Sequence, residues 1–277
     1  MTYMNDSNVL EIKGLNSFYG DRQVLFDVRF AVPRRCVTVI MGPSGCGKST
    51  LVRHLIGLYR ARPRELFLEG RDMALFRRED MNSYRRRIGV LFQGGALFNS
   101  LTLKDNVAVP LRVHTRLAEE TISVIVRIKL HQVGLSGFED YMPSQLSGGM
   151  QKRAGLARSL VMDPEILFVD EPSSGLDPIT AAGLDNLILE LCRTLGVTVV
   201  VVTHELDSAF HIADQMVVLD GGRLLAAGTP EAIKNSGEDR VVQFLERRAE
   251  AGREDDEAYW RGLLGKGSFK THGGGET

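Results

Sequence analysis

The chain has 277 residues, with 34 basic against 35 acidic side chains and a formal net charge of -1. That length allows one large domain or two small ones, and the charge balance supplies no global field to recruit nucleic acid or an anionic membrane. The longest apolar run, residues 197–202, is far short of the roughly 20 residues needed to span a bilayer, and the N-terminal MTYMNDSNVL lacks the basic and apolar regions of a secretory signal.

Residues 9–12 and 24–32 predict the two strands of a hairpin around the turn Tyr19-Gly20-Asp21. Residues 37–41 are continuously apolar, as a strand buried on both faces should be. They run straight into GPSGCGKST at 42–50, and LVRHLIGL then shows helical spacing up to Gly57. Strand, glycine loop and helix are the context that a phosphate-binding G-x-x-x-x-G-K-S motif requires. Gly42, Gly45 and Gly47 let backbone amides converge on phosphate oxygens, with Pro43, Ser44 and Cys46 between them and Thr50 closing the run. The helix adds its positive end, Lys48 reaches the β and γ phosphates, and Ser49 offers a hydroxyl to Mg²⁺. The expected substrate is a nucleoside triphosphate. Cys36, Cys46 and Cys192 lack metal-ligand spacing and read as small hydrophobes suited to a reducing compartment. Cys46 stands apart, because its place in the loop predicts inhibition by a bulky thiol reagent.

Arg85, Arg86 and Arg87 read as a solvated strand flank. The stretch LFQGGALFNS at 91–100 puts Ala96, Leu97 and Phe98 where a loop should be polar. Thr115 opens a long helical pattern, with Glu119 and Glu120 near its start and its end about Val133. In QLSGGMQKR at 145–153, Ser147 and the amides of Gly148 and Gly149 open a helix and make a second anion site. One nucleotide does not need two cradles so far apart in sequence. The apolar strand 166–169 ends at Asp170 and Glu171. Asp170 can hold Mg²⁺ there, and Glu171 can polarise a water for in-line attack on the γ-phosphate. Strand 197–202 leads to His204, where a donor could meet that phosphate. A further strand at 216–219 completes an alternation of strands and helices that argues for a mostly parallel α/β sheet. Thr229-Pro230 caps a short helix, and beyond Arg248 the chain turns charged and then glycine-rich, so its last dozen residues are expected to be disordered.

In order along the chain, these motifs resemble the ATP-binding cassette (ABC) family, whose signature begins L-S-G-G, over most of residues 9–230. The resemblance implies an α/β, ABC-type P-loop NTPase with a RecA-like core, an antiparallel β subdomain and an α-helical subdomain near residues 94–160. These would form a nucleotide-binding domain at 8–230, followed by a C-terminal extension at 231–277. In that family two cassettes pair head to tail, so each ATP lies between the phosphate loop of one copy and the signature of the other. This accounts for the duplicate site. The resemblance further implies that Tyr19 stacks on adenine, that Gln93 is the Q-loop glutamine, and that the SGLD loop at 174–177 brings Asp177 to the nucleotide. It makes His204 the switch histidine that acts with Glu171, Gln93 and Lys48, and Ser49, Gln93 and Asp170 the holders of Mg²⁺. Met150 stands where many members carry glutamine, with little loss of hydrolysis expected.

Five segments, FQGGALF at 92–98, PLRVHT at 110–115, Met150, DPIT at 177–180 and RVVQFL at 240–245, resemble the ATPases of Mce/Mla-type lipid transport systems. Those systems move phospholipids or other hydrophobic molecules between membranes. The implied protein is a motor at the cytoplasmic face of a bacterial inner membrane. Its implied partners are a second copy of itself, integral membrane permease subunits and an Mce-domain lipid-binding protein. Leu97 and Phe98 are then candidate anchors for a permease helix or, equally, members of the protein's own core. A polar-solute importer, for an amino acid for example, is the alternative. One phosphate loop and no long heptad region argue against the translation-type and repair-type members, so no nucleic-acid partner is expected. Phe244, Leu245, Tyr259, Trp260, Leu263 and Leu264 raise the further reading that the extension clasps the dimer.

Overall fold

The computed structural model describes residues 8–246. The hairpin is longer than expected: β1 (Asn8–Tyr19) and β2 (Arg22–Pro33) pair antiparallel across the predicted turn. Next come β3 (Val37–Met41), the phosphate loop and α1 (Lys48–Leu55), which ends at Ile56 before Gly57 turns left-handed at φ 72°. Two short strands, β4 (Leu66–Leu68) and β5 (Arg71–Asp72), extend the hairpin into a four-stranded antiparallel sheet ordered β2-β1-β4-β5. After α2 (Arg78–Arg86) and β6 (Ile88–Leu91) the chain leaves the sheet for three helices, α3 (Leu103–His114), α4 (Glu119–Gln132) and α5 (Gly148–Leu160). It then alternates through β7 (Ile166–Asp170), α6 (Pro178–Leu195), β8 (Thr198–Val202), α7 (Leu206–Ile212) and β9 (Gln215–Asp220). It ends in β10 (Arg223–Gly228), α8 (Pro230–Lys234) and α9 (Asp239–Leu245).

The second sheet runs β10-β9-β3-β8-β7-β6, parallel except for the antiparallel edge strand β10. Its strands are buried on both faces, and alternate residues enter two different cores. Val199 and Val201 pack with the helical layer, whereas Val200 and Val202 pack with the antiparallel sheet and α1. A continuous valine run is therefore what this sandwich requires. Because five neighbouring strands are parallel, the residues that follow β3, β7 and β8 emerge at one edge.

Two expectations need correction, and two open readings are narrowed. Thr115 does not open a helix; its hydroxyl donates to Leu111 O at the end of α3, its backbone is extended, and α4 starts only at Glu119. The predicted helix is α4 alone, starting four residues later, because Thr115 closes α3 with its amide on Leu111 O. Of Arg85, Arg86 and Arg87, the first two are exposed as expected, and only Arg87 is half-buried in an ion-pair cluster. Arg85 donates to Gly57 O at 2.7 Å, and Arg87 grips Glu165 at 2.6 Å and Glu69 at 2.8 Å, with hydrogen bonding to Glu165 holding the guanidinium charged. Leu97 and Phe98 divide: Leu97 packs on the helical core, while Phe98 stays 51% exposed with Arg158 over its ring. Phe244 and Leu245 pack against the protein's own core, whereas Tyr259, Trp260, Leu263, Leu264 and the terminal dozen lie outside the described residues. Thr229 caps α8 as expected, accepting from the amide of Ala232.

Candidate functional site

The phosphate loop is shaped by backbone that only glycine tolerates. Gly42 has φ 148°, and a Cβ there would come within 2.0 Å of Leu219 O; Gly47 has φ 104°, and its Cβ would meet Leu25 at 2.7 Å. The loop is thus folded tightly against β9 and β2. Lys48, the first residue of α1, reaches back over it and donates to Gly42 O at 2.7 Å and Pro43 O at 3.0 Å. An ammonium held by carbonyls at the loop's mouth is poised to exchange them for phosphate oxygens.

The Cys46 sulfur lies 4.0 Å from Lys48 Nζ, under the loop. The residue is 4% exposed among the residues beneath the antiparallel sheet, and burial pushes its thiol up, with Lys48 opposing. The thiol lies inside the loop but is covered, so burial and not its facing slows the expected attack by a bulky thiol reagent.

At the end of β7 the half-buried Asp170 carboxyl is raised by burial and by the neighbouring Glu171, with Lys48 opposing. Glu171 sits in the left-handed region at φ 49°, its amide donating to Val202 O at 2.8 Å. Its carboxylate meets His204 Nδ1 at 2.8 Å and accepts from Thr203 Oγ1 at 3.3 Å. Beyond β6, Gln93 Nε2 donates to Ser174 Oγ at 3.3 Å, which ties the Q-loop to the segment after Glu171. The donors also suit Mg²⁺. A raised Asp170 is relieved by a cation, and a hydroxyl from Ser49, an amide oxygen from Gln93 and one carboxylate are hard ligands that leave room for phosphates and water.

Tyr19 stands at the end of β1 with its ring 44% exposed. Arg53 donates to its hydroxyl at 2.8 Å and Tyr59 Oη lies 3.2 Å away; hydrogen bonds to Thr50 and Tyr59 lower that hydroxyl's pKa. The exposed face is free for a planar base. Ser147 caps α5 by accepting from the amide of Met150 at 3.3 Å, and Met150 itself packs towards the core. Gly148 is exposed, and Gly149 is buried where a Cβ would lie 2.5 Å from Thr180. Asp177 caps α6, accepting from the amides of Ile179 at 3.1 Å and Thr180 at 3.0 Å. The phosphate loop, Asp170, Glu171, Gln93 and His204 share the sheet edge, whereas the signature residues open a helix of the other layer.

Sequence reasoning missed Arg53, Tyr59, Thr203 and Lys152. Lys152 had a signal: it shares a helical face with Gly149, Leu156 and Leu160, an apolar setting in which a lysine needs a reason.

Fold and site define a P-loop ATPase of the cassette type. The ABC transporter family model matches residues 25–174. The chain is 43% identical, over 86% of its length and 69% of the relative, to the probable ribonucleotide transport ATP-binding protein mkl of Mycobacterium leprae. It is 40% identical, over 87% of its length and 91% of the relative, to the intermembrane phospholipid transport system ATP-binding protein MlaF of Haemophilus influenzae. Among solved structures, cbiO1 of Clostridium perfringens, part of the ABC transporter complex cbiONQ, superposes with a TM-score of 0.77 at 29% identity, covering 87% of this chain and 97% of that one. A dimeric ATP-binding cassette in a post-hydrolysis state, bound to ADP and Pi, matches with a TM-score of 0.72 at 28% identity over 80% of this chain and 98% of that one. The chain belongs to the ABC transporter family and is an ATP hydrolase. Among its described residues no helix is long and apolar enough to cross a membrane.

Proposed function

We propose that two copies of the chain bind MgATP head to tail and hydrolyse it to drive a phospholipid, or another hydrophobic molecule, through an Mce/Mla-type permease complex. The motor would sit at the cytoplasmic face of a bacterial inner membrane, with permease subunits and an Mce-domain protein as partners. The observation that carries the ATPase part is the convergence at one sheet edge of the Lys48 ammonium, Asp170 and the Glu171–His204 pair.

In this reading the loop amides from Gly42 to Thr50 and the Lys48 ammonium hold the β and γ phosphates, and Tyr19 stacks on the base. Ser49, Asp170 and Gln93 hold Mg²⁺, whose chemistry is to neutralise charge on the transferred phosphoryl group. Glu171 orients the attacking water and takes its proton, and His204 holds that carboxylate and donates towards the γ-phosphate. Ser147, Gly148 and Gly149 of one copy, with Asp177 beside them, would face the nucleotide of the other. The domain runs over 8–230, with its helical subdomain near 94–160, and Phe98 offers the exposed part of the permease-facing surface.

The cargo reading rests on the MlaF relatives, which match nearly end to end. A polar cargo is the second reading, favoured by the ribonucleotide name of the mycobacterial relatives. The test is a mild-detergent pull-down of the tagged protein from membranes, with mass analysis of co-purifying proteins and lipids. A multi-spanning permease, an Mce-domain protein and phospholipid are expected. Recovery of a permease with a solute-binding protein instead would overturn the cargo while leaving the ATP site intact.

A further inference from the structure

Lys152 lies in the second turn of α5 and is 7% exposed. Its ammonium enters the segment after β7 and donates to Pro172 O at 2.6 Å, to Glu171 O at 3.4 Å and to Ser174 O. A buried lysine is costly unless its charge and its donors are met, and three carbonyls match the three protons of an ammonium. Around the ammonium the segment is tied by Gln93 to the Ser174 hydroxyl and by the amides of Ser174 and Leu176 to Glu171 O and Ser173 O, while the buried Ser173 hydroxyl has no hydrogen-bond partner among the described residues. The segment carries Glu171 in the left-handed region, a conformation that persists only where its surroundings over-determine it.

We infer that Lys152 is a positioning residue for ATP hydrolysis: by drawing the carbonyls of Glu171, Pro172 and Ser174 onto one ammonium, it holds Glu171 in the backbone conformation from which its carboxylate meets His204 and Thr203. The inference rests on the reading of Glu171 as the group that activates water. Two ties act on the same residue from opposite sides, Lys152 on its carbonyl and Val202 O on its amide. Lys152 also stands on the helix that Ser147 opens, four residues beyond Gly148, or about 6 Å along the axis. A shift at the start of α5 therefore reaches the hydrolytic loop through one rigid helix and one side chain.

The test uses the full chain, with steady-state ATPase kinetics and equilibrium binding of a fluorescent ATP analogue. Wild type, K152M, K152R, E171Q and the K152M/E171Q double variant are compared. For K152M, kcat is expected to fall about 10- to 100-fold while KM and analogue affinity stay within about twofold. K152R, which keeps the cation, should recover most of the lost kcat. Because Lys152 acts through Glu171, the double variant should be no slower than E171Q. Normal kcat in K152M, parallel loss of kcat and analogue binding, or additive losses in the double variant would each overturn the inference. Should K152M fail to fold, K152Q, which loses the charge and keeps two of the three N–H donors, takes its place with the same criteria. Near wild-type hydrolysis by E171Q would instead remove the reading of Glu171, and the role of Lys152 with it.

Discussion

His204 Nδ1 lies 2.8 Å from Glu171 Oε1, so the residue two beyond β8 directly meets the residue one beyond β7. The pair exists because β7 and β8 are neighbouring parallel strands, with Asp170 in register with Val202. In E171Q, hydrolysis should fall by about 10²–10⁴-fold with ATP-analogue affinity retained, since the general base is lost and the phosphate cradle is not. His204→Ala should also lower kcat, with less effect on KM. Single-turnover ATPase assays beside equilibrium binding would check both, and near-normal turnover in E171Q would sink the assignment.

Tyr19 tests the base platform. Tyr19→Ala should raise KM for ATP by about 5- to 150-fold, the range that loss of one stacked base implies. Tyr19→Phe keeps the ring and loses the hydrogen bonds to Arg53 and Tyr59, so it should stay near wild type. Equal damage from both variants would show that the hydroxyl network, and not stacking, is what matters.

Thiol chemistry follows from burial. Cys46 is pushed up by burial and Cys192 is pushed up to about 11 by the same cause, so their thiolates are scarce at neutral pH. Both should react with a bulky disulfide reagent far more slowly than an ordinary thiol, with rates rising only at pH above the usual cysteine range. Unfolding should then release all three cysteines. Fast labelling of Cys46 in the native protein, blocked by ATP, would contradict its inward placement.

Leu97 and Phe98 should part company under mutation. Leu97→Asp places a charge against the helical core and should destabilise the isolated protein by about 1–3 kcal/mol. Phe98→Asp should leave its denaturation midpoint unchanged and weaken recovery of the permease. Denaturant titration of each, beside the same pull-down, separates the two.

Gly149→Ala would bring a Cβ to within 2.5 Å of Thr180 on α6, an overpacking worth about 1–3 kcal/mol of stability. Urea unfolding would read it directly. An unchanged midpoint would mean that α5 and α6 slide apart freely.

Much of this was legible in the chain. The phosphate loop announced itself because its φ requirements restrict Gly42 and Gly47 to one residue type, and the buried strands because a valine run suits little else. Local requirements of this kind leave local marks. Leu97 and Phe98 had equal claims on the core, since hydrophobicity says that a side chain seeks cover and not which neighbour supplies it.

The order of strand, glycine loop and helix, the acidic pair after an apolar strand and the L-S-G-G helix start were enough to establish a nucleotide hydrolase of the cassette type. Tertiary structure alone decided that Arg87 belongs to an ion-pair cluster, that the Cys46 thiol turns inward, and that the Lys152 ammonium grips the loop of Glu171. Each of these depends on groups tens of residues apart being brought within a few ångströms. Such proximity is set by how sheet and helices pack, and no spacing along the chain encodes it.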